Sequence, residues 1–285
     1  MIELFQQIFN GIILGCIYCL LASGLTLVYG VMHVPNFAQG NLYMVGAFIG
    51  FYLLPLFGAN YWLALLGTAV VLAIIGGMIE RILFRPVRDD PHVNSFIVAL
   101  GLLMVLEGIV TLLCGEAFRT FPSTYNYVLR FGNLVMTVQR VIVILGTAFI
   151  LSLLGLFLRK TKTGTSIIAM SQNRELALMV GINVNRISMI AFAISTGLAG
   201  VAGVLIAPIL LVYPHMGMAP LLIAFAAVIF GGLGSLIGAI LGAFIMAITQ
   251  VLCIHFAATI FSNIAIFGLM IVILIFRPTG LMGGD

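Results

Sequence analysis

The stretch ISMIAFAISTGLAGVAGVLIAPILLV, residues 187–212, contains no Asp, Glu, Lys or Arg. It opens a charge-free segment of 90 residues that ends at Phe276, and another charge-free segment of 76 residues extends from Leu4 to Ile79. A helix needs roughly 20 consecutive apolar residues to cross a bilayer. The N-terminal segment therefore has room for about three membrane-spanning helices, and the C-terminal one for about three or four.

The composition of the whole chain indicates the same class of protein. Of 285 residues, 63% are hydrophobic and 7% are charged, and the mean hydropathy is +1.28, whereas a soluble domain carries about 25% charged residues. These values exclude a soluble globular domain and a disordered chain. The 12 Lys and Arg residues are scattered over several loops, so the net charge of +4 does not indicate a nucleic-acid-binding surface. We expect an all-α polytopic membrane protein with one transmembrane domain over residues 1–285.

Apolar segments predict about eight membrane-spanning helices, at residues 8–32, 37–57, 62–83, 94–114, 141–158, 188–212, 236–254 and 257–276. A shorter apolar piece, residues 220–231, begins at Pro220 and runs into the sequence GGLGS at 231–235. With about 12 residues it is too short to cross a bilayer alone. We therefore expect it to be a re-entrant half-helix.

Two loops carry most of the basic residues, which are Arg81, Arg85 and Arg88 in one loop and Arg159, Lys160, Lys162, Arg174 and Arg186 in the other. Basic loops of membrane proteins face the cytoplasm, and two predicted spans separate these loops. We expect both to be cytoplasmic, with residues 115–140 and the N-terminus outside. The side of Arg277 depends on residues 213–235: a re-entrant piece leaves Arg277 outside, and a complete crossing brings it inside.

An internal repeat is visible at an offset of 173 residues. Ser23–Pro35 reads SGLTLVYGVMHVP, and Thr196–Pro208 reads TGLAGVAGVLIAP, with six identities in 13 positions. The expected topology makes the two segments run in opposite directions. Inverted repeats are common in transporters, where the substrate site lies near the midplane at the repeat interface.

Each copy of the repeat is followed by a broken stretch, and the first of these carries three amide side chains. Pro35 interrupts the helix, and Asn36, Gln39 and Asn41 follow it among apolar residues. Because unpaired polar groups are expensive in such surroundings, these amides either pair with the opened backbone or line a substrate pathway. Glu107 is a further pathway candidate, because a carboxylate in the middle of a predicted span indicates function by default.

The sequence contains no catalytic or metal-binding pattern. A nucleotide-binding P-loop needs Gly-Lys followed by Ser or Thr, and neither Lys160 nor Lys162, the two lysines of the chain, follows a glycine. No cluster of His, Cys, Asp and Glu has metal-ligand spacing. We expect a non-catalytic protein without a metal or a cofactor.

The basic loop contains the stretch RELALMVGIN at 174–183. It resembles the coupling-helix signature of ABC importer permeases (Glu, a small pair, three residues, then Gly), with Leu176 in place of the first small residue. Four other segments match the order and spacing found in permeases of branched-chain amino acid ABC transporters: NFAQG at 36–40, ERILFRPVR at 80–88, GGLGS at 231–235 and FRPTGL at 276–281. Nearly the whole chain resembles the shorter of the two permease types in that family.

The resemblance implies a role for the basic loop and a set of partners. Residues 159–187 would form a cytoplasmic coupling loop, in which the candidate coupling residues are Arg174, Glu175, Ala177, Gly181, Ile182 and Asn183. The chain would lie in a bacterial inner membrane and pair with a second, homologous permease. Two cytoplasmic ATPase subunits would drive transport, and an extracytoplasmic binding protein would deliver the substrate.

Two departures from the family pattern bear on the substrate and on the loop. The family often has His where this chain has Gln39, and Arg where it has Ile168. The expected cargo is a branched-chain or related amino acid, and the same architecture could instead carry urea, short amides or aromatic acids. An ion-coupled secondary transporter that uses Glu107 as its proton site is the alternative from a different class.

Overall fold

The computed structural model describes residues 2–88, 92–122, 125, 127–131, 134–256 and 258–282. In this part the chain forms eleven α-helices, a π-helical turn and a pair of antiparallel strands. The helices are α1 (Ile2–Met32), α2 (Gln39–Leu56), α3 (Tyr61–Ile79), α4 (His92–Cys114), α5 (Val138–Lys160), α6 (Lys162–Gln172), α7 (Arg174–Met179), α8 (Val184–Ile206), α9 (Met218–Gly231), α10 (Leu236–Phe256) and α11 (Thr259–Phe276). The π-helical turn is Glu80–Phe84, and the strands are β1 (Val128–Phe131) and β2 (Leu134–Thr137).

The prediction of a polytopic helical membrane protein is confirmed. Each of the eight predicted spans corresponds to a helix, and seven helices in the described residues are long and apolar enough to cross a membrane, namely α1, α3 with its π-helical turn, α4, α5, α8, α10 and α11. Helix α2 has 18 residues and is less apolar, because it begins with Gln39, Gly40 and Asn41. The β1–β2 pair between α4 and α5 was not predicted.

Two helices form the centre of the molecule and three lie at its margin. Of the most apolar window of α1, 89% is buried, whereas the corresponding share is 11% for α11. Helix α8 is also mostly buried, and α4 and α5 are mostly exposed. Small residues in the central helices let backbones approach closely. A Cβ atom on Gly203 of α8, for example, would overlap the backbone of Tyr43 and Ala47 in α2.

Polar contacts define two ends of the molecule. At the hairpin end, where β2 leads into α5, Arg140 Nη1 donates to Asn10 Oδ1 of α1 over 2.8 Å. Gln139 Nε2 lies 3.4 Å from the carbonyl oxygen of Leu205, near the end of α8. Helices α1 and α8 therefore run in opposite directions, because the start of one and the end of the other meet the start of α5. We call the opposite end, which carries α6 and α7, the α7 end.

The packing supports the predicted inverted repeat without establishing its register. Helix α10 packs antiparallel along α1, since Gly11 faces Ile248 and Gly15 faces Phe244. Helix α3 packs antiparallel along α8 in the same way. The aligned glycines of the two copies differ in their neighbours, however: Gly24 contacts α2 and α8, whereas Gly197 contacts α3. The repeat stays a prediction.

The structure favours a complete crossing by residues 207–235 over the re-entrant half-helix expected at 220–231. Helix α8 ends at the hairpin end, whereas α10, being antiparallel to α1, begins toward the α7 end. The chain between them therefore runs toward the α7 end instead of turning back. Helix α9 has 14 residues, about 21 Å, and the irregular stretch 207–217 supplies the remaining length. Val212 in that stretch exchanges backbone hydrogen bonds of 2.9 Å with Arg119.

The end of the chain returns to α9. The backbone N–H groups of Leu281 and Met282 donate to the carbonyl oxygens of Phe230 and Gly231, both over 2.9 Å. Because α11 runs antiparallel to α10, Arg277 lies at the α7 end, together with the basic loop. Of the two alternatives for Arg277, the structure favours the one in which it shares the side of residues 159–187.

Candidate functional site

The break between α1 and α2 holds a buried cluster of polar groups, which we call the amide cluster: Asn36, Gln39 and Ser195. Helix α1 ends at Met32, and α2 begins at Gln39 after the turn that contains Pro35. All three side chains are buried. Gly24 of α1 packs directly against Gln39 and Ser195 and leaves no room for a side chain at position 24.

Hydrogen bonds satisfy the amide cluster internally. Gln39 Nε2 donates to the carbonyl oxygen of Ser195 over 3.0 Å, and Ser195 Oγ donates back to Gln39 Oε1 over 3.1 Å. Asn36 Nδ2 lies 3.4 Å from Gln39 Oε1, and Asn36 Oδ1 accepts from the N–H of Ala38 over 3.2 Å. In this conformation Asn36 therefore pairs with the opened backbone at Ala38, which is one of the two roles expected for it, whereas Gln39 pairs with Ser195 of α8. Their lining of a pathway stays a prediction.

The third amide, Asn41, connects α2 to α4. Its Nδ2 donates to the carbonyl oxygen of Leu103 over 2.6 Å, and its side chain is buried. In an α-helix the carbonyl of Leu103 is also the partner of the N–H of residue 107. Asn41 therefore holds the turn of α4 on which Glu107 stands.

Glu107 meets a residue to which sequence reasoning gave no role. His215 Nδ1 lies 2.8 Å from Glu107 Oε1, and the side chains are 59% and 32% exposed, respectively. His215 belongs to the irregular stretch before α9. A separation of 108 residues left no local signal for this pair in the sequence.

The Glu107–His215 pair stands beside a groove of about 470 Å³. The groove is lined by Leu103, Met104, Glu107, Gly108, Thr111 and Leu112 of α4. The same face of α4 exposes several large apolar side chains, including Met104 and Leu112. A charged pair facing lipid would be costly, so intramembrane ionisable groups face a protein partner or a water-filled cavity. The arrangement combines a carboxyl group, an imidazole and an apolar surface.

The predicted coupling segment forms the short helix α7 with defined ends. Asn173 Oδ1 accepts from the N–H of Leu176 over 3.0 Å and caps its start. Gly181 ends it with a φ of +81°, a conformation that favours glycine. The N–H of Ile182 then bonds the carbonyl of Ala177 over 3.1 Å, and Asn183 Oδ1 caps α8 through the N–H of Arg186, also over 3.1 Å. Hydrogen bonds therefore hold the connection from α7 to α8 in one conformation.

The structure divides the candidate coupling residues by position. Ala177, within α7, is buried. Arg174 and Ile182 are half-buried, and the exposed residues are Glu175, Gly181 and Asn183. The most exposed apolar side chains of the segment are Met179 and Val180, at 81% and 76%, and sequence reasoning had not selected them. Their exposure could not be read from the sequence because α7 has only six residues.

Comparisons with known proteins identify the relatives of this chain. The profile of the family described as "Branched-chain amino acid transport system / permease component" matches residues 7–274. The high-affinity branched-chain amino acid transport system permease protein LivH of Escherichia coli K12 is 33% identical, over 98% of this chain and 95% of that protein. The LivM permease protein of the same system in that organism is 27% identical, over 94% of this chain and 68% of that protein.

A solved structure shares the fold. A chain of PsaBC from Streptococcus pneumoniae, determined in complex with a Fab, superposes with a TM-score of 0.50. The superposition covers 92% of this chain and 89% of that one at 15% identity. The resemblance concerns the fold alone, whereas the family match spans almost the whole chain and places it among multi-pass, non-catalytic permease subunits of ABC importers. This chain belongs to the family of branched-chain amino acid transport system permease components.

Proposed function

We propose that this chain is a translocation subunit of an ATP-driven importer in the inner membrane that carries branched-chain or related amino acids. It pairs with a second, homologous permease. Two ATPase subunits drive transport from the side of the α7 end, and a substrate-binding protein docks at the hairpin end. The cargo rests on the family and on LivH, whose name specifies branched-chain amino acids.

The exposed surface of α7 is the observation that carries the ATPase contact. Met179 and Val180 are exposed beside Glu175, at the basic α7 end of the molecule. Contact with water does not explain two large apolar side chains at this position. A short, capped helix with apolar residues on its outer face fits a groove on a partner protein. Since hydrogen bonds fix the connection between α7 and α8, a partner that moves α7 also moves the central helix α8.

The Glu107–His215 pair supports a pathway between this chain and the second permease. The face of α4 that carries the pair is apolar and mostly exposed. A second permease that covers this face removes the apolar residues from lipid and encloses the pair in a polar channel. An amino acid offers an ammonium group to Glu107 and an apolar side chain to the groove.

Co-purification tests the subunit composition. A tagged copy of this chain, extracted from its native membrane in mild detergent, is expected to bring down one ATPase type and a second multi-span permease. Proteoliposomes that contain the complex, with the binding protein outside and ATP enclosed, should then accumulate leucine, and those without enclosed ATP should not. A stable chain without an ATPase, whose uptake collapses with an uncoupler while ATP remains, would instead favour an ion-coupled transporter.

A single substitution tests the docking of α7. We expect Met179→Asp to fold normally, because the side chain is exposed, and to reduce both ATPase co-purification and uptake about tenfold or more, because a charge replaces an interface anchor. Leu56→Asp is the matched control, since Leu56 is equally exposed at the hairpin end. Equal ATPase recovery with both variants would contradict the docking of α7.

A further inference from the structure

A buried ion pair lies at the end of α3, close to the coupling segment. Glu80 and Arg88 form it, and only 1% and 5% of their side chains are exposed. Replacing such a pair by apolar residues is often neutral or stabilising, because both charges lose their hydration. Stability alone therefore does not account for two charges in this position.

The backbone at this point departs from α-helical geometry. Residues Glu80–Phe84 form a π-helical turn, in which the N–H of Arg85 donates to the carbonyl of Glu80 over 2.7 Å. π-helical turns are rare and occur frequently at functional sites. Here the turn packs the ring of Phe84 against that of Phe192 in α8, with centroids 5.1 Å apart. It thereby provides one attachment of α3 to α8.

Arg88 provides a second attachment, closer to α7. One of its terminal nitrogens pairs with Glu80, and the other donates to Asn185 Oδ1 over 2.8 Å. Asn185 is the second residue of α8 and follows Gly181, which ends α7, by four positions. The planar guanidinium can hold two acceptors in a fixed geometry, which a lysine ammonium cannot do. Arg88 therefore links the end of α3 to the first turn of α8.

These contacts connect α7 to two transmembrane helices instead of one. The backbone passes from α7 into α8 through the bonded residues Ile182 and Asn183. From the first turn of α8, Arg88 and Glu80 extend the connection to α3, which lies antiparallel along α8 and accepts a 2.9 Å hydrogen bond from Thr196 Oγ1 at the carbonyl of Leu72.

We propose that Glu80, Arg88 and Asn185 form a strut that transmits displacement of α7 to α3, so that α3 and α8 move together when the ATPases close. The three are positioning residues: they act through the helices and touch no substrate. The proposal rests on the proposed function, because it requires ATPases that bind α7. Without the strut, ATP hydrolysis continues while less of the motion reaches the pathway.

The test measures transport and ATP hydrolysis together in proteoliposomes that contain the complete complex and its binding protein. Asn185→Ala removes the link from Arg88 to α8 at an exposed position and leaves the buried pair intact. We expect ATP hydrolysis to stay within about twofold of the wild type and leucine transported per ATP to fall about fivefold or more, the lower range of typical coupling free energies. Asn185→Asp keeps an acceptor for Arg88 and is expected to restore the ratio.

Asn10→Ala is the matched control, because it removes an Arg–Asn hydrogen bond of the same 2.8 Å length at the hairpin end. It should leave the ratio unchanged. Two outcomes for Asn185→Ala would overturn the strut: an unchanged ratio, or losses of transport and hydrolysis that both follow the amount of assembled complex. Failure of the proposed function is seen separately, as a wild-type preparation without ATP-dependent uptake.

Discussion

At the scale of single residues, Gln39 joins the start of α2 to the central helix α8. It donates to the carbonyl of Ser195 and accepts from Ser195 Oγ. We expect Gln39→Leu, which keeps the volume, to lower the free energy of unfolding by about 1–3 kcal/mol, because buried partners are left without hydrogen bonds. Thermal unfolding in detergent measures this loss.

Ser195→Ala is the comparison for that substitution. It removes the hydroxyl and leaves the 3.0 Å bond from Gln39 Nε2 to the carbonyl of residue 195 in place. We expect a smaller loss, about 1 kcal/mol or less. Equal destabilisation by both variants would contradict the central position of Gln39 in the amide cluster.

A substitution at Glu107 should reduce transport without reducing the stability of the protein. Its pair with His215 is partly exposed, and exposed ion pairs contribute about 0–1 kcal/mol to stability. We therefore expect Glu107→Gln to keep the melting temperature and the recovery of partner subunits while ATP-dependent leucine uptake falls about tenfold or more. Filter uptake assays on vesicles measure the loss.

Glu116→Gln is the control for Glu107, because Glu116 is an exposed carboxylate beyond the end of α4. It should transport leucine at the wild-type rate. Normal uptake by Glu107→Gln would remove Glu107 from the pathway and leave its pair with His215 as a surface contact.

At the scale of the elements, glycines in the central helices set the distance between α2 and α8. A Cβ atom on Gly203 would overlap the carbonyl oxygen of Tyr43 and crowd the N–H of Ala47. Because both are backbone atoms, the helices must separate, and we expect Gly203→Ala to cost about 1–3 kcal/mol. The yield of monodisperse protein in detergent and its unfolding temperature report this cost.

Gly155 of α5 is the matched position for that test. No atom lies within 4 Å of a Cβ built there, and alanine favours a helix over glycine by up to about 1 kcal/mol. Gly155→Ala should therefore be neutral or slightly stabilising. Similar losses at Gly155 and Gly203 would show that helix separation is not the cause.

At the scale of the whole molecule, the directions of α10 and α11 predict the side of each loop. Cysteines introduced one at a time at Lys162, Arg277 and Glu116 can be labelled with a membrane-impermeant maleimide. The background has Cys114 and Cys253 replaced by serine and retains the buried Cys16 and Cys19. We expect Lys162→Cys and Arg277→Cys to react together in inverted vesicles, because both positions lie at the α7 end. Glu116→Cys should react in right-side-out vesicles.

If Arg277→Cys reacts in right-side-out vesicles, as Glu116→Cys should, the result would contradict this topology. It would instead support a re-entrant half-helix at 220–231. Labelling of Lys162→Cys only in right-side-out vesicles would instead reverse the whole orientation while leaving the fold unchanged. The charge rule supplies the expected orientation, and the contacts at the two ends supply the grouping of the loops.

Some features of the molecule were predictable from the sequence. The charge-free segments predicted the spans, because the energy of an apolar helix in a bilayer depends mainly on its own composition. The stretch at 174–183 predicted a short helix through its resemblance to the coupling-helix signature, and Gly181 ends that helix in the structure. Pro35 predicted the break before α2 for the same local reason.

Other features required the tertiary structure, because they join residues that are far apart in the chain. His215 reaches Glu107 across 108 positions, and Arg88 reaches Asn185 across 97. The path of residues 207–235 also stayed open in the sequence, because the length of a helix does not reveal the direction of its neighbours. The sequence by itself therefore determined the apolar spans, the break at Pro35 and the resemblance to the permease family. Only the packing of the helices against one another decided which polar groups meet, since such contacts depend on the relative positions of whole helices.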